Sequence, residues 1–284
     1  MKRTLILSLP AVLLFILASC SSPDAGKSAG TARAVQGAPP DGAASGRTTL
    51  KIVADVVPHQ ELLEFVKPGL AARGIDLDIY NTEGRLANEQ TSNGEFDANF
   101  FQHEPYLKSV AAEQGFDLVN AGNIHVEPIG AYSEKYRTIE GIPPNAAIAI
   151  PNDATNEFRA LTILAQNGFI RLKKNTEVFN TSILDVEEYL KPIKLVELDA
   201  AAIIRIRDQF DVYITNTNKV LEAGIDTGGV LFREGSDSPY ANILAVQSGR
   251  LNDPAIRALV AALTTEEVRA FIESKYRGAV IPAF

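Results

Sequence analysis

Phe96-Asp97-Ala98-Asn99-Phe100-Phe101-Gln102-His103-Glu104-Pro105-Tyr106-Leu107 decides the fold. Its first half is an apolar run interrupted by Asp97 and Asn99, which reads as a buried strand. Helical spacing resumes after Pro105 and runs from Tyr106 to Gln114, where Gly115 closes it. A strand that hands over to a helix is half of an α/β unit, and in open α/β sheets the carboxyl ends of strands face the ligand crevice. This strand end carries aromatic rings, an imidazole, an amide and a phenol, the mixture that a small-molecule site needs. A second reading of the same residues stays open. It puts the two phenylalanines in a core and bonds His103 to a backbone carbonyl.

Outward from this stretch the alternation continues. Leu50 to Val57 is apolar and β-branched, a strand. Pro58-His59 reads as a turn. Glu61 to Ala72 has helical spacing, with a kink expected at Pro68 and an end at Gly74. Asp76 to Tyr80 is a strand, Asn81 to Asn88 a loop, and a short polar helix leads to Gly94. Leu118 to Val126 returns as a strand. A second unit begins after Glu127-Pro128, with strands at Ile129–Ser133, Ile148–Ile150, Lys194–Leu198 and Val212–Ile214. Helices are expected at Asn156–Asn167, Ala200–Gln209 and Lys219–Ala223, and Val186–Leu190 also reads as helical. After a last strand, Ile243–Val246, come two helices. Asp253-Pro254 caps the first, and Thr264 with Glu267 forms a capping box for the second. Alternating strands and helices predict an α/β fold with largely parallel sheets.

Composition narrows the function. Of 284 residues, 46% are hydrophobic and 22% charged, enough for a real core. A net charge of −8 without a basic cluster argues against a nucleic-acid partner. Residues 1–20 read as a targeting segment: Lys2 and Arg3, an apolar stretch containing Pro10, then Leu17-Ala18-Ser19-Cys20, which resembles a bacterial lipobox. Cys20 is the single cysteine, which excludes an intramolecular disulfide and leaves it as a lipidation site. Residues 21–47, rich in Ser, Gly, Ala and Pro, read as a flexible tether.

FFQHEPYL at 100–107 resembles the signature of the NlpA/MetQ family, the methionine-binding lipoproteins of bacterial ABC importers. VVPHQELLEFVKP (56–68), GEFDANFF (94–101), NIHVEPIGAYS (123–133), IAIPNDATNEFRAL (148–161), DSPYANILAV (237–246) and KYRGAVIPAF (275–284) follow the family's order. The resemblance implies a two-lobed, periplasmic-binding-protein-like fold, each lobe a mainly parallel sheet flanked by helices. Lobe 1 is expected at 48–126 plus 240–284 and lobe 2 at 127–239, joined by two hinge crossings. It also implies a monomer, not an enzyme, that needs no cofactor. Such a protein captures L-methionine for an ABC permease and its ATPase, in the cell envelope, anchored to the membrane by lipid on Cys20.

A free amino acid brings a carboxylate, an ammonium and a side chain, and burying both charges requires partners. Asn156 and Arg159 lie three apart at an expected helix start, where free N–H groups and a bidentate guanidinium suit an anion. The resemblance gives them the ligand carboxylate. The plainer reading is a surface ion pair of Arg159 with Asp153 or Glu157. Asn216 and Asn242 are implied contacts to the ligand backbone, or else turn residues. Asn218 reads as a turn residue. Glu127 is either the ammonium acceptor or a hinge ion pair. Phe101, His103 and Tyr106 would wall the side-chain pocket, where sulfur–aromatic contacts favour a thioether. One departure stands out: Gly84 and Ala87 occupy positions where the family carries Tyr and Pro. Unless Tyr80 or Arg85 fills the gap, the pocket widens toward a methionine-containing dipeptide or another amino acid. A zinc or manganese site built from His59, His103, His125 and Glu127 is the rival of another class. A surface lipoprotein without a ligand is the plainest alternative. No nucleophile–base pair, phosphate loop or metalloprotease motif marks an enzyme.

Overall fold

The computed structural model describes residues 46–82, 84–235 and 238–284. The targeting segment, Cys20 and nearly all of the tether lie outside the described residues. No described helix is long and apolar enough to cross a membrane.

The chain opens with β1 (Thr48–Ala54), α1 (Glu61–Ala71), β2 (Ile75–Tyr80), α2 (Gly84–Ser92), β3 (Ala98–His103), α3 (Glu104–Gln114) and β4 (Leu118–Val126). It continues with β5 (Gly130–Tyr132), β6 (Ala146–Pro151), α4 (Ala154–Gln166), β7 (Ile170–Leu172), β8 (Val186–Tyr189), β9 (Ile193–Leu198), α5 (Ala200–Arg205), β10 (Val212–Thr215), α6 (Thr217–Glu222) and β11 (Phe232–Arg233). It closes with β12 (Ala241–Gln247), α7 (Pro254–Leu263), α8 (Glu266–Tyr276) and β13 (Ile281–Pro282). Two sheets organise these elements, in the orders β13-β4-β12-β3-β1-β2 and β11-β5-β10-β6-β9. The chain leaves the first sheet at Val126, enters the second at Gly130, leaves it at Arg233 and re-enters the first at Ala241.

The sheets are mixed, which corrects the largely parallel expectation. Parallel pairing is confined to β2-β1-β3 and β9-β6-β10. The rest is antiparallel because β12, returning from the second sheet, wedges between β3 and β4 and runs against both, while β13 runs against β4, and in the second sheet β5 runs against both β10 and β11. The expected helix at Val186–Leu190 is strand β8. It pairs with β7, Arg171 opposite Glu188, and that cross-strand charge pair favours the hairpin over a short isolated helix. The second C-terminal helix is capped one residue later than expected: Thr265 Oγ1, not Thr264, accepts from Val268 N at 3.3 Å. Helix α5 stops at Arg205, short of Gln209. Helix α2 starts inside the expected Asn81–Asn88 loop.

Strand periodicity sorts the cores. In β6, Ile148 and Ile150 face α4 through Leu161 and Leu164, while Ala149 faces the opposite layer with Tyr213 and Ile203. The first sheet buries Leu50, Ile52 and Ala54 against Leu62 and Leu63 of α1, Leu259 of α7 and Ile272 of α8. Each such aliphatic side chain contributes roughly 1.5–3 kcal/mol by leaving water. These packed layers hold the strand ends, and therefore the loops beyond them, in fixed positions.

Candidate functional site

A cleft of about 1200 Å³ opens at the carboxyl ends of strands from both sheets. Asp55 follows β1, Asn81 follows β2, His103 ends β3, Asn152 follows β6, Asp199 follows β9 and Asn216 follows β10, and all of them line it. Phe101, Tyr106, Glu127, Asn156 and Asn242 line the same cleft. Seven of the eight ligand-binding residues expected from sequence therefore line one cleft, Arg159 being the exception.

His103 is set by its neighbours. Its Nδ1 caps α3 by accepting from Tyr106 N at 3.1 Å. The ring proton therefore sits on Nε2, 3.2 Å from Asn156 Oδ1 across the cleft. Burial, with the Arg159 guanidinium nearby, pushes the imidazole down to about 3, so it is neutral at physiological pH. The alternative of a bond to a backbone carbonyl is replaced by these two. The rings of Phe101 and Tyr106 meet edge to face at 6.3 Å, and His103 and Tyr106 at 6.2 Å. Burial raises the Tyr106 phenol to about 12.

Helix α4 does not offer an open anion site at its start. Asp153 caps it, accepting from Asn156 N at 3.0 Å and Thr155 Oγ1 at 2.9 Å. The same carboxylate holds Asn156 Nδ2 at 2.9 and 3.1 Å, which turns Oδ1 toward the cleft. That oxygen receives Arg159 Nη1 at 3.1 Å, Asn216 Nδ2 at 3.0 Å and His103 Nε2.

Arg159 is buried beneath Asn156 and does not present a bidentate fork to the cleft. Its fork is given to Glu234, with Nε to Oε1 at 2.9 Å and Nη2 to Oε2 at 2.6 Å. Nη2 also donates to the Glu127 carbonyl at 2.8 Å, and the Tyr240 ring lies 4.4 Å from the guanidinium carbon. Of five guanidinium N–H groups, one on Nη1 keeps no partner among the described residues. The expected surface pair with Asp153 or Glu157 is absent among them, and the partner is instead the partly buried Glu234.

Glu127 is buried at the first passage between the sheets. Oε1 faces His125 Nε2 at 2.8 Å and His59 Nε2 at 3.5 Å, and Oε2 accepts from Asn218 N at 2.9 Å. His59 Nε2 also meets Asn242 Oδ1 at 3.3 Å. Burial raises the carboxyl, opposed by the charge of His59 and the Asn218 N–H. Burial pushes His59 down to about 4 and His125 to about 3. These three side chains have the donor set of a metal site. A ligating histidine directs its other ring N–H to an acceptor. Here Nδ1 of both His59 and His125 is buried without a partner among the described residues. A metal on both Nε2 atoms would strand two buried N–H groups, so the cluster fits a proton better than an ion. His103 lies apart from it, bonded to Asn156.

Gly84 packs against Phe101: a Cβ there would sit 3.2 Å from Phe101 Cε2. Neither candidate replacement fills the gap. Tyr80 packs on Phe96, and Arg85, at the cleft edge, pairs with Glu113 at 2.9 Å.

A family model described as NlpA lipoprotein matches residues 50–284. The chain belongs to the NlpA lipoprotein family. It is 38% identical to membrane lipoprotein TpN32 of Treponema pallidum over 80% of this chain and 85% of that one. A nutrient-binding protein from Burkholderia cenocepacia, solved bound to methionine, aligns with TM-score 0.79 and 34% identity, covering 83% of this chain and all of that one. An ABC transporter periplasmic substrate-binding protein from Coxiella burnetii aligns with TM-score 0.78 and 34% identity, over 82% and 100% of the two chains.

Within this NlpA lipoprotein the cleft contains residues that sequence reasoning passed over. Asn218, read as a turn residue, is buried and donates from Nδ2 to Asp55 Oδ2 at 2.8 Å, beside Lys219 Nζ at 3.0 Å. Asp55 carried a signal, a carboxylate inside the apolar run expected as the first strand, which the structure ends at Ala54. Glu234, which stands behind the cleft on Arg159, carried none, because its partner is 75 residues away.

Proposed function

We propose that this NlpA lipoprotein captures L-methionine in the cleft and delivers it to the permease and ATPase of an ABC importer. Binding, not catalysis, is the activity. One observation carries the ligand class. His103 Nε2, Asn216 Nδ2 and Arg159 Nη1, from elements of both sheets, converge on the single oxygen Asn156 Oδ1. An amide oxygen has two lone pairs, so this spot is over-supplied with donors. A ligand carboxylate entering here takes up the surplus, together with the remaining Arg159 N–H. Glu127, lining the same cleft, receives the ammonium, with Asn242 beside it. Phe101, His103 and Tyr106 hold the side chain, where each sulfur–aromatic contact contributes about 0.3–1.5 kcal/mol. The methionine bound to the Burkholderia protein supports this choice.

Residues 48–126 with 240–284 form one lobe and 127–239 the other, closing about the two passages between the sheets. Residues 1–20 direct export, and 21–47 tether the folded part to lipid on Cys20 in the bacterial envelope. The protein works as a monomer. Gly84 favours a second reading. The cleft exceeds the ~300–1,000 Å³ of most small-molecule pockets, so a methionine-containing dipeptide is the alternative cargo.

Calorimetry with L-methionine tests the assignment. Micromolar or tighter affinity is expected, about −8 kcal/mol or better. Arg159→Ala should weaken it at least tenfold with the fold retained. No heat with methionine, but saturable binding of a dipeptide, would select the alternative.

A further inference from the structure

Glu234 takes no part in lining the cleft, yet it holds the cleft's buried cation in place. Its carboxylate grips Arg159 through two parallel bonds of 2.6 and 2.9 Å. A fork of this kind fixes the plane of a guanidinium as well as its position. Tyr240, from the same returning segment, covers one face of that plane at 4.4 Å and reaches His103 at 5.1 Å between ring centroids. Glu234 is itself fixed: Oε2 accepts from Ile129 N at 3.1 Å and Ser238 Oγ at 3.2 Å, and Glu234 N donates to Ile129 O at 3.0 Å. The edge left over is Nη1, and it points at Asn156 Oδ1, where the other cleft donors converge.

We infer that Glu234 is a positioning residue that sets the cleft's requirement for a free α-carboxylate, by holding Arg159 with its Nη1 edge toward the bound ligand. The inference rests on the proposal that an amino acid occupies the cleft. Without Glu234 the guanidinium keeps its charge but loses two of its four hydrogen bonds, and the single bonds that remain, to the Glu127 carbonyl and Asn156 Oδ1, no longer fix its plane. A plain structural brace would predict something different. Loosening a brace weakens every ligand alike, whereas misaiming Arg159 weakens only ligands with a carboxylate to receive it.

The test compares L-methionine with L-methionine amide, which keeps the ammonium and thioether but lacks the carboxylate. Both are titrated into wild-type protein and into Glu234→Gln, an isosteric change that removes the charged fork. The expected result is at least a tenfold loss of methionine affinity in the variant, with the weaker affinity for the amide unchanged. Equal loss for both ligands, or no loss for either, overturns the inference. Glu234→Asp, which keeps the charge but shortens the reach, carries the same readout if the glutamine variant does not fold. Wild-type protein that ignores methionine but binds another amino acid sinks the methionine assignment alone, and the acid and amide of that amino acid then decide the role of Glu234. Failure of wild-type protein to bind any amino acid overturns both.

Discussion

His103 commits both ring nitrogens, one to capping α3 and one to the cleft. Protonation would put a second hydrogen on Nδ1, where it faces the Tyr106 N–H, and would add a charge near Arg159. Its folded value of about 3 lies below the ordinary 6.5. Between those values the unfolded chain holds a proton that the folded chain lacks, so stability falls as pH drops through this window. The slope is about 1.4 kcal/mol per pH unit for each such histidine. His103→Gln should therefore flatten the loss of urea stability between pH 6.5 and 4 by about one proton's worth. An unchanged slope would mean that His103 titrates normally in the folded protein. Phe101→Ala removes a pocket wall without touching the polar grip. It should reduce the preference for methionine over alanine or serine in competitive binding, while an unaltered ligand ranking would take Phe101 out of the pocket. That these residues line the cleft was legible because ring, imidazole and strand end are contiguous in sequence, whereas the cap His103 makes on α3 was not. The company of Arg159 was not, since spacing along α4 says nothing of a carboxylate that arrives with a later crossing.

Among the elements, α4 on the proposed reading joins stability to binding at one residue. Asp153 caps the helix and also holds Asn156 Nδ2, so its loss removes the cap and frees the amide on which the cleft donors meet. Asp253 caps α7 by accepting from Ala255 N at 2.8 Å, on the helix layer packed against the first sheet's core. Replacing either by alanine should lower stability by roughly 1 kcal/mol in denaturant unfolding. Only Asp153→Ala should also weaken L-methionine, several-fold or more by calorimetry. Equal affinity in the two variants would reduce Asp153 to a cap. Helices with strong caps and strands with long apolar runs were readable in this way. Shorter elements were not: Val186-Glu187-Glu188-Tyr189 fits a helical turn as well as an edge strand, and only its pairing with Ile170–Leu172 decides. The mixed sheets were hidden for a related reason. Direction is set by where β12 inserts, which no local pattern of Ala241–Gln247 reveals.

At the scale of the whole molecule, the two sheets meet across the cleft through an ionic contact as well as through His103. Asp55, at the end of β1, accepts from Asn218 Nδ2 and from Lys219 Nζ, both on α6 beside the second sheet. Burial alone would lower the Lys219 pKa, but the Asp55 carboxylate beside it outweighs this and the net shift is upward, so Lys219 carries its charge at neutral pH. A buried pair is costly to break by removing one partner, because the survivor is left uncompensated. Lys219 is a quarter exposed, so the screened cost is nearer 1–2 kcal/mol than the ~3–5 kcal/mol of a dry pair. Asp55→Asn leaves Lys219 only Glu222 of its own helix, at 3.6 Å, as an ion-pair partner, and on the proposed two-lobe reading lets it regain water when the lobes part. The ligand-free variant should shift toward the open form, and small-angle scattering should show a larger radius of gyration than wild type. Methionine must then supply the missing closure energy, so its affinity should fall roughly tenfold, since about 1.4 kcal/mol corresponds to a factor of ten. At saturating ligand the two proteins should scatter alike, because binding selects the same closed state. Identical scattering without ligand would show that Asp55 and Lys219 are bystanders to closure, and that the polar convergence at Asn156 holds the lobes together unaided.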